Sequence, residues 1–176
     1  MNYRSVNVYC AFTALCLMLC AVTFANGQTK STKSKSTVKE TKVAKIAKGT
    51  FEVKVTPLPA EDNIGDPSIG RLSLEKQFSG DIVATSKGQM LGIGTDVKES
   101  GGYVAAEKVN GTISGKKGAF SLQHTGTMQG GKFDLNIMIV PDSGTGELVG
   151  IKGTMKIIIE GGKHFYELNY TLPSEK

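Results

Sequence analysis

The chain has 176 residues, enough for one domain with extensions, and its three cysteines, Cys10, Cys16 and Cys20, all lie near the amino terminus. If that part of the chain is removed on export, no disulfide framework and no thiol nucleophile remain. The net charge of +5 comes from residues 28–48, which contain seven lysines and one glutamate. Residues 49–176 carry thirteen basic and fifteen acidic residues, so they lack the basic excess of a specific nucleic-acid-binding domain.

Residues 1–27 have the features of a secretory signal peptide. Arg4 supplies a positive start, an apolar run follows, and Thr23-Phe-Ala25 resembles a small-residue cleavage site. We therefore predict a secreted or periplasmic protein. The alternative is an uncleaved membrane anchor, which is disfavoured because the apolar run is shorter than the roughly 20 residues of a spanning helix.

The segment 28–48 is a lysine-rich, low-complexity stretch with few large apolar residues. Such a composition cannot build a core and repels itself, so we predict a disordered linker. The linker is either a solvated spacer or an electrostatic attachment to an anionic envelope surface. It has no aromatic residue on which a base could stack, so specific nucleic-acid binding finds no support here either.

Residues 49–176 are predicted to form one domain made of strands. Phe51, Val53 and Val55 alternate with polar residues, which is the period of a half-buried strand, and similar alternation recurs to the end of the chain. No segment shows a convincing helical period. The predicted strands cover approximately residues 51–56, 72–86 with a bend at Gly80, 88–93, 103–113, 120–128, 133–139, 147–160 and 163–171.

A pattern of glycine and apolar residues occurs twice in this domain. Residues 111–122 and 146–157 both fit G-x-[IL]-x-G-x-K-G-x-[FM]-x-[LI]. Glycine enters positive φ without strain and marks tight turns between strands, so we interpret the pattern as two copies of one β-hairpin. About eight short sequential antiparallel strands favour closure, because a closed sheet has no exposed edges. The predicted fold is all-β, an eight-stranded antiparallel closed barrel.

Three segments resemble the signature segments of a known bacterial family, the domain of unknown function numbered 3224: residues 70–81, 120–128 and 140–150. That family is similar in fold to the allene oxide cyclase barrel, so the resemblance implies an allene-oxide-cyclase-like or lipocalin-like architecture. It also implies frequent assembly into a homo-oligomer. It implies no activity.

Glu107 and His124 are the strongest candidates for chemistry. Tyr103 and Val109 indicate that the odd-numbered residues of the predicted strand 103–113 face the core, and Phe120 indicates the same for the even-numbered residues of strand 120–128. Glu107 and His124 are therefore both predicted on the inner face. A four-residue loop over 114–117 would set them directly opposite each other, and a slip of two residues would leave them diagonal, within reach in both cases. The pair is a candidate for general acid–base catalysis, for orienting a polar ligand group, or for mutual satisfaction of two buried polar groups.

Tyr103 and Tyr170 complete the predicted ligand-binding set, as aromatic residues that fill the interior with hydroxyls toward its rim. His164 follows a turn and is expected near solvent. The two histidines lie forty residues apart without the short spacing of metal ligands, so we predict no metal site and no cofactor.

These observations leave three functions open. The first is a barrel that binds a small apolar or amphipathic ligand, with Tyr103, Glu107 and His124 as its inward polar groups. The second is a cyclase-like or isomerase-like enzyme that uses Glu107 and His124 in the same cavity. The third is a structural, envelope-associated protein with a filled barrel, and an empty or filled interior distinguishes it from the other two.

Overall fold

A computed structural model describes residues 43–59 and 65–173 of the chain. The predicted signal peptide, residues 1–27, and most of the predicted linker lie outside the described residues, and both stay predictions. Within the described ranges, no helix combines the length and the apolar composition needed to cross a membrane.

The described residues form a closed antiparallel barrel of eight strands, which confirms the predicted fold class. Each strand pairs with the next one along the chain, and β8 pairs with β1 to close the ring. The strands are β1 (Lys45–Pro57), β2 (Ile69–Gly80), β3 (Ile82–Gly94), β4 (Gly101–Ile113), β5 (Lys116–Gln129), β6 (Lys132–Ile139), β7 (Lys152–Glu160) and β8 (Lys163–Thr171).

Two predicted boundaries differ from the structure. β1 begins at Lys45, so residues 45–48 belong to the barrel rather than to the linker, and Ala47 within them is fully buried. The predicted continuous strand 72–86 is instead the end of β2 and the start of β3, which pair antiparallel on either side of Asp81. Gly80 has a φ of +109° and turns the chain rather than bending a strand.

The prediction of two equivalent hairpins is wrong. Residues 111–122 do form the β4–β5 hairpin, whose turn consists of Ser114 and Gly115 at φ values of +48° and +82°. Residues 146–157 instead form a short 3-10 helix, Gly146–Leu148, followed by β7. The two copies share only their last part, in which a strand sends alternate apolar side chains inward.

One end of the barrel is filled by large side chains. This closed end contains the start of β1, the turn between β2 and β3, and the end of β4. Fully buried aromatic and aliphatic residues pack there in one cluster, including Phe78, Ile82, Ile113, Phe120 and Tyr166. The opposite, open end contains the end of β1 and the start of β4.

The segment 140–151 completes the wall at the closed end. β6 ends at Ile139, opposite Leu122, so the first half of β5 pairs with β4 on one side and meets no described strand on its other side. Thr145 and Ser143 supply the missing bonds, because the Thr145 N–H donates to the Ala119 carbonyl at 2.8 Å and the Ser121 N–H donates to Ser143 Oγ at 3.0 Å. Leu148 and Ile151 of this segment are fully buried in the core.

Tyr166 ties β8 to the turn between β2 and β3 at the closed end. Its hydroxyl accepts a hydrogen bond from the Ile82 N–H at 2.8 Å and donates one to the Ser79 carbonyl at 3.2 Å. This arrangement needs a glycine on β1, since a Cβ at Gly49 would lie 2.0 Å from the Ser79 oxygen and 2.6 Å from the Tyr166 hydroxyl.

We expect Gly49→Ala to lower the free energy of unfolding by about 1–3 kcal/mol, because the added methyl group forces the backbone and Tyr166 apart. The matched control is Gly94→Ala, also in a strand, where the added carbon meets no atom within 4 Å. Urea denaturation of the two variants measures the difference. Equal stabilities would show that the Tyr166 contacts do not depend on close approach of β1.

Candidate functional site

The open end of the barrel holds a cavity of about 910 Å³. This volume falls within the range of about 300–1,000 Å³ that is typical of small-molecule sites. The wall is mainly apolar, and side chains from five strands contribute to it: Val53, Val55, Leu74, Met90, Leu135 and Ile157. The lining also includes residues with hydrogen-bonding side chains: Lys76, Tyr103, His124, Asp134 and His164.

A cluster of charged and polar groups forms the inner end of this cavity. Glu107 is buried at its centre, with Oε1 2.6 Å from Lys76 Nζ and Oε2 accepting a hydrogen bond from Ser86 Oγ at 2.5 Å. His124 Nε2 lies 2.9 Å from the same Oε1 atom. These four residues are all buried, so their charges interact in a region from which water is largely excluded.

The strands place the cluster between the cavity and the packed core. Three residues of the cluster are each followed, toward the closed end of the strand, by a fully buried apolar residue on the same face. These residues are Phe78 after Lys76, Val109 after Glu107 and Leu122 after His124. Glu107 lies opposite Gly88 on β3. A Cβ at Gly88 would come within 2.6 Å of the Glu107 Cβ, so this glycine gives the glutamate its space.

The predicted register of the β4–β5 hairpin is wrong by two residues. Glu107 pairs with Leu122, and His124 pairs with Ala105, because the turn has two residues rather than four. Such turns are favoured in hairpins, since their backbone twist matches that of the strands. The structure nevertheless brings Glu107 and His124 together as diagonal neighbours.

The contact between His124 and Glu107 is close without being a well-aligned hydrogen bond. Of the buried side-chain nitrogen and oxygen atoms in the described ranges, His124 Nε2 is the one that lacks a hydrogen-bond partner. The Nε2 atom is enclosed, and its close neighbour is Glu107 Oε1 at 2.9 Å.

Glu107 is ionised at neutral pH. Burial raises the pKa of its carboxyl, but His124, the ammonium of Lys76 and the hydroxyl of Ser86 together lower that pKa from 4.5 to about 2. Its two oxygens already accept from Lys76 and Ser86. The carboxylate is thus suited to hold Lys76 and His124 in place and is poorly suited to donate a proton.

Tyr103 lies above the cluster on the same strand as Glu107. Its ring covers Gly126 on β5, where a Cβ would lie 2.4 Å from a ring carbon. Burial, followed by the negative charge of Glu107, raises the pKa of the Tyr103 hydroxyl. The hydroxyl therefore stays protonated and is a further hydrogen-bond donor.

The other aromatic candidates occupy different places from those expected. Tyr170 is buried in the core at the closed end, so the structure does not bring it to the cavity. His164, which we expected near solvent, is half-buried and lines the cavity, with its ring centroid 5.1 Å from that of Phe51.

Sequence reasoning missed Lys76 and Ser86. A signal for Lys76 was present, because Leu74 and Phe78 alternate toward the core and Lys76 stands between them with the same parity. A buried lysine needs an anionic partner, and Glu107 was available on the inner face of β4. Ser86 continues the series of inward-facing residues Ile82 and Ala84 along β3.

The site offers no set of metal ligands within residues 43–59 and 65–173. No group of three or more His, Cys, Asp or Glu side chains there is placed to hold a metal ion. The residues that line the cavity instead include the hydrogen-bonding side chains of Lys76, Tyr103 and the two histidines.

Comparison with known proteins identifies relatives of this barrel. The pattern of the family described as Protein of unknown function (DUF3224) matches residues 47–170. A similar solved structure is that of a protein with unknown function from the same family in Shewanella oneidensis MR-1, at 44% sequence identity and a TM-score of 0.69. The alignment covers 75% of this chain and 100% of that one. No curated protein matches the sequence.

The low pKa of Glu107 predicts a specific dependence of stability on pH. Because its pKa is lower in the folded protein than its ordinary value of 4.5, the ionised form stabilises the fold above that value, and the stabilisation is lost as pH falls toward about 2. The expected contribution is about 3 kcal/mol.

Urea denaturation between pH 5 and pH 2.5, compared with Glu107→Gln, measures this contribution. The variant is expected to be less stable at pH 5, where Lys76 loses its partner, and to lose less stability on acidification. Parallel pH profiles for the two proteins would contradict the ionised state of Glu107.

Proposed function

This chain belongs to the DUF3224 family of proteins of unknown function, and we propose that its barrel binds a small, mainly apolar or amphipathic molecule at its open end. The observation that carries the proposal is the cavity of about 910 Å³, with apolar walls and a polar inner end. Small-molecule sites commonly combine an apolar lining with a few well-placed polar groups.

The walls of the cavity favour an apolar ligand body. Leu74 and Met90 lie on the paired strands β2 and β3, Ile157 lies on β7, and all three line the same space. Transfer of apolar surface from water into such a space is favourable by roughly 25 cal/mol per Å². At the mouth, Phe133 and Ile159 expose large apolar surfaces that a bound molecule would cover.

The polar inner end favours binding over a filled, purely structural barrel. Burying a lysine, a glutamate and a histidine is costly, and apolar residues of similar volume would stabilise a filled barrel at least as well. Lys76 and His124 are almost fully buried where the cavity meets the core, and both are among the residues that line it. This placement supports recognition of a polar group at depth.

The enzyme alternative loses one of its two proposed partners. A carboxyl group with a pKa of about 2 does not serve as a general acid near neutral pH. Lys76 and Ser86 also occupy the two oxygens of Glu107. We therefore assign Glu107 the role of a positioning residue that orients Lys76 and His124.

Ile157→Trp is expected to fill part of the cavity and to weaken binding of the uncharged fluorescent probe Nile red at least about tenfold, a loss of about 1.4 kcal/mol. Ile157 lines the cavity, whereas its neighbour Ile158 faces outward from the same strand and is 43% exposed. Ile158→Trp is thus the matched control and should bind the probe as the unmodified protein does.

Fluorescence titration gives the affinities, and circular dichroism checks that both variants fold. Equal affinities for the two variants would show that the probe binds elsewhere. Absence of binding by the unmodified protein to Nile red and to a panel of apolar compounds would contradict the binding function itself.

A further inference from the structure

We propose that the ligand is uncharged and carries a carbonyl oxygen at its buried end, which accepts hydrogen bonds from Lys76 and the neighbouring donors. This inference rests on the proposed function and specifies the chemistry that the inner end of the cavity recognises. A lysine in a cavity would ordinarily suggest an anionic ligand. The surroundings of Lys76 argue against one.

The first step is the count of hydrogen-bond donors. A lysine ammonium has three N–H groups, and Lys76 directs one of them to Glu107 Oε1 at 2.6 Å. Its other close contacts in the described part of the chain are the faces of Phe51 and Phe78, whose ring centroids lie 5.1 and 6.0 Å from Nζ. Aromatic faces attract the charge and do not replace an oxygen acceptor.

His124 lies beside Lys76 at the inner end of the cavity. Its Nε2 atom is enclosed and lies 2.9 Å from Glu107 Oε1. Both residues line the cavity, and the side chain of each is at least nine-tenths buried. The N–H groups of Lys76 that do not reach Glu107 are therefore the donors that lack an acceptor among the described residues, and an acceptor atom of the ligand can supply it.

The second step is the balance of charge. The carboxylate of Glu107 lies 2.6 Å from Lys76 Nζ and neutralises it. A ligand carboxylate bound to the same ammonium would bring a second negative charge close to Glu107, in a buried site where repulsion is weakly screened. It would also lose its own hydration. A carbonyl oxygen accepts from Lys76 without either cost.

The apolar walls between the mouth and Lys76 suit a hydrocarbon body. The ligand would therefore enter with its carbonyl group first and leave its apolar part against Leu74, Met90 and Ile157.

The test compares three compounds with the same hydrocarbon chain: 2-nonanone, nonane and nonanoate, each measured by displacement of Nile red at pH 7.5. The unmodified protein is expected to bind the ketone at least about tenfold more tightly than either of the others, because hydrogen bonds from a charged donor are strong. Binding of nonane alone already reports the apolar cavity and so tests the proposed function separately.

The variant that tests the residues is Lys76→Met combined with Glu107→Gln, which removes both charges and leaves neither unpaired. It should bind nonane at least as tightly as the unmodified protein does, because the inner end becomes more apolar, and it should lose the preference for 2-nonanone. The matched control is Lys54→Met combined with Glu75→Gln, a directly opposed pair on the outer face of β1 and β2, and it should keep the preference.

A measurement on the unmodified protein covers the case in which the inner variant fails to fold. The infrared C=O stretch of bound 2-nonanone should move to lower frequency than that of the ketone in a hydrocarbon solvent, as expected for hydrogen bonding to an ammonium group.

Three results would overturn the carbonyl proposal: an unshifted C=O stretch, equal affinity for ketone and alkane, or tighter binding of nonanoate than of 2-nonanone. In each of these cases the apolar cavity and its binding function would stand. Failure of all three compounds to bind would remove the proposed function as well.

Discussion

The ion pair between Lys76 and Glu107 is the interaction on which the open end of the barrel depends. It joins β2 to β4 across β3, and it is almost fully enclosed. Breaking a buried pair by removing one partner typically costs about 3–5 kcal/mol, because the remaining charge is left without compensation. The pair therefore fixes a polar floor beneath the cavity, and Ser86 and His124 are arranged around it.

The barrel is asymmetric along its axis, and this asymmetry creates the site. At the closed end, large side chains and the segment 140–151 fill the interior, while Tyr166 links β8 to the β2–β3 turn. Toward the open end, inward positions include Gly88 and Gly126, which provide room for Glu107 and Tyr103 rather than filling space. A barrel of eight strands can be packed solid or leave room inside, and here one half is packed while the other contains a cavity.

The family relationship and the site contribute different kinds of information. Membership of the DUF3224 family confirms the resemblance seen in the sequence and agrees with the barrel, but a fold by itself does not supply a function. The proposed function comes from the apolar walls of the cavity and from Lys76 at its inner end. Both oxygens of Glu107 accept hydrogen bonds from Lys76 and Ser86, and the lowered pKa of its carboxyl agrees with the positioning role that we propose for it.

Local alternation of apolar and polar residues was enough to predict the class of fold and the inward direction of several side chains. A strand exposes alternate residues to opposite faces, so Phe120 and Leu122 indicated that His124 points inward, and Val109 did the same for Glu107. The same rule applied to Leu74 and Phe78 would have placed Lys76. These inferences need no knowledge of which strands are neighbours.

The tertiary structure decided everything that depends on contacts between distant parts of the chain. The register of the β4–β5 hairpin followed from its two-residue turn. The segment 140–151 belongs to the wall because its backbone bonds to the free side of β5. Lys76 and Glu107 are 31 residues apart, and Tyr166 and Ile82 are 84 apart. Alternation indicates the face to which a side chain points. Which other side chain it contacts, and how much space remains between the two, depend on closure of the barrel and on the volumes of all the inward residues.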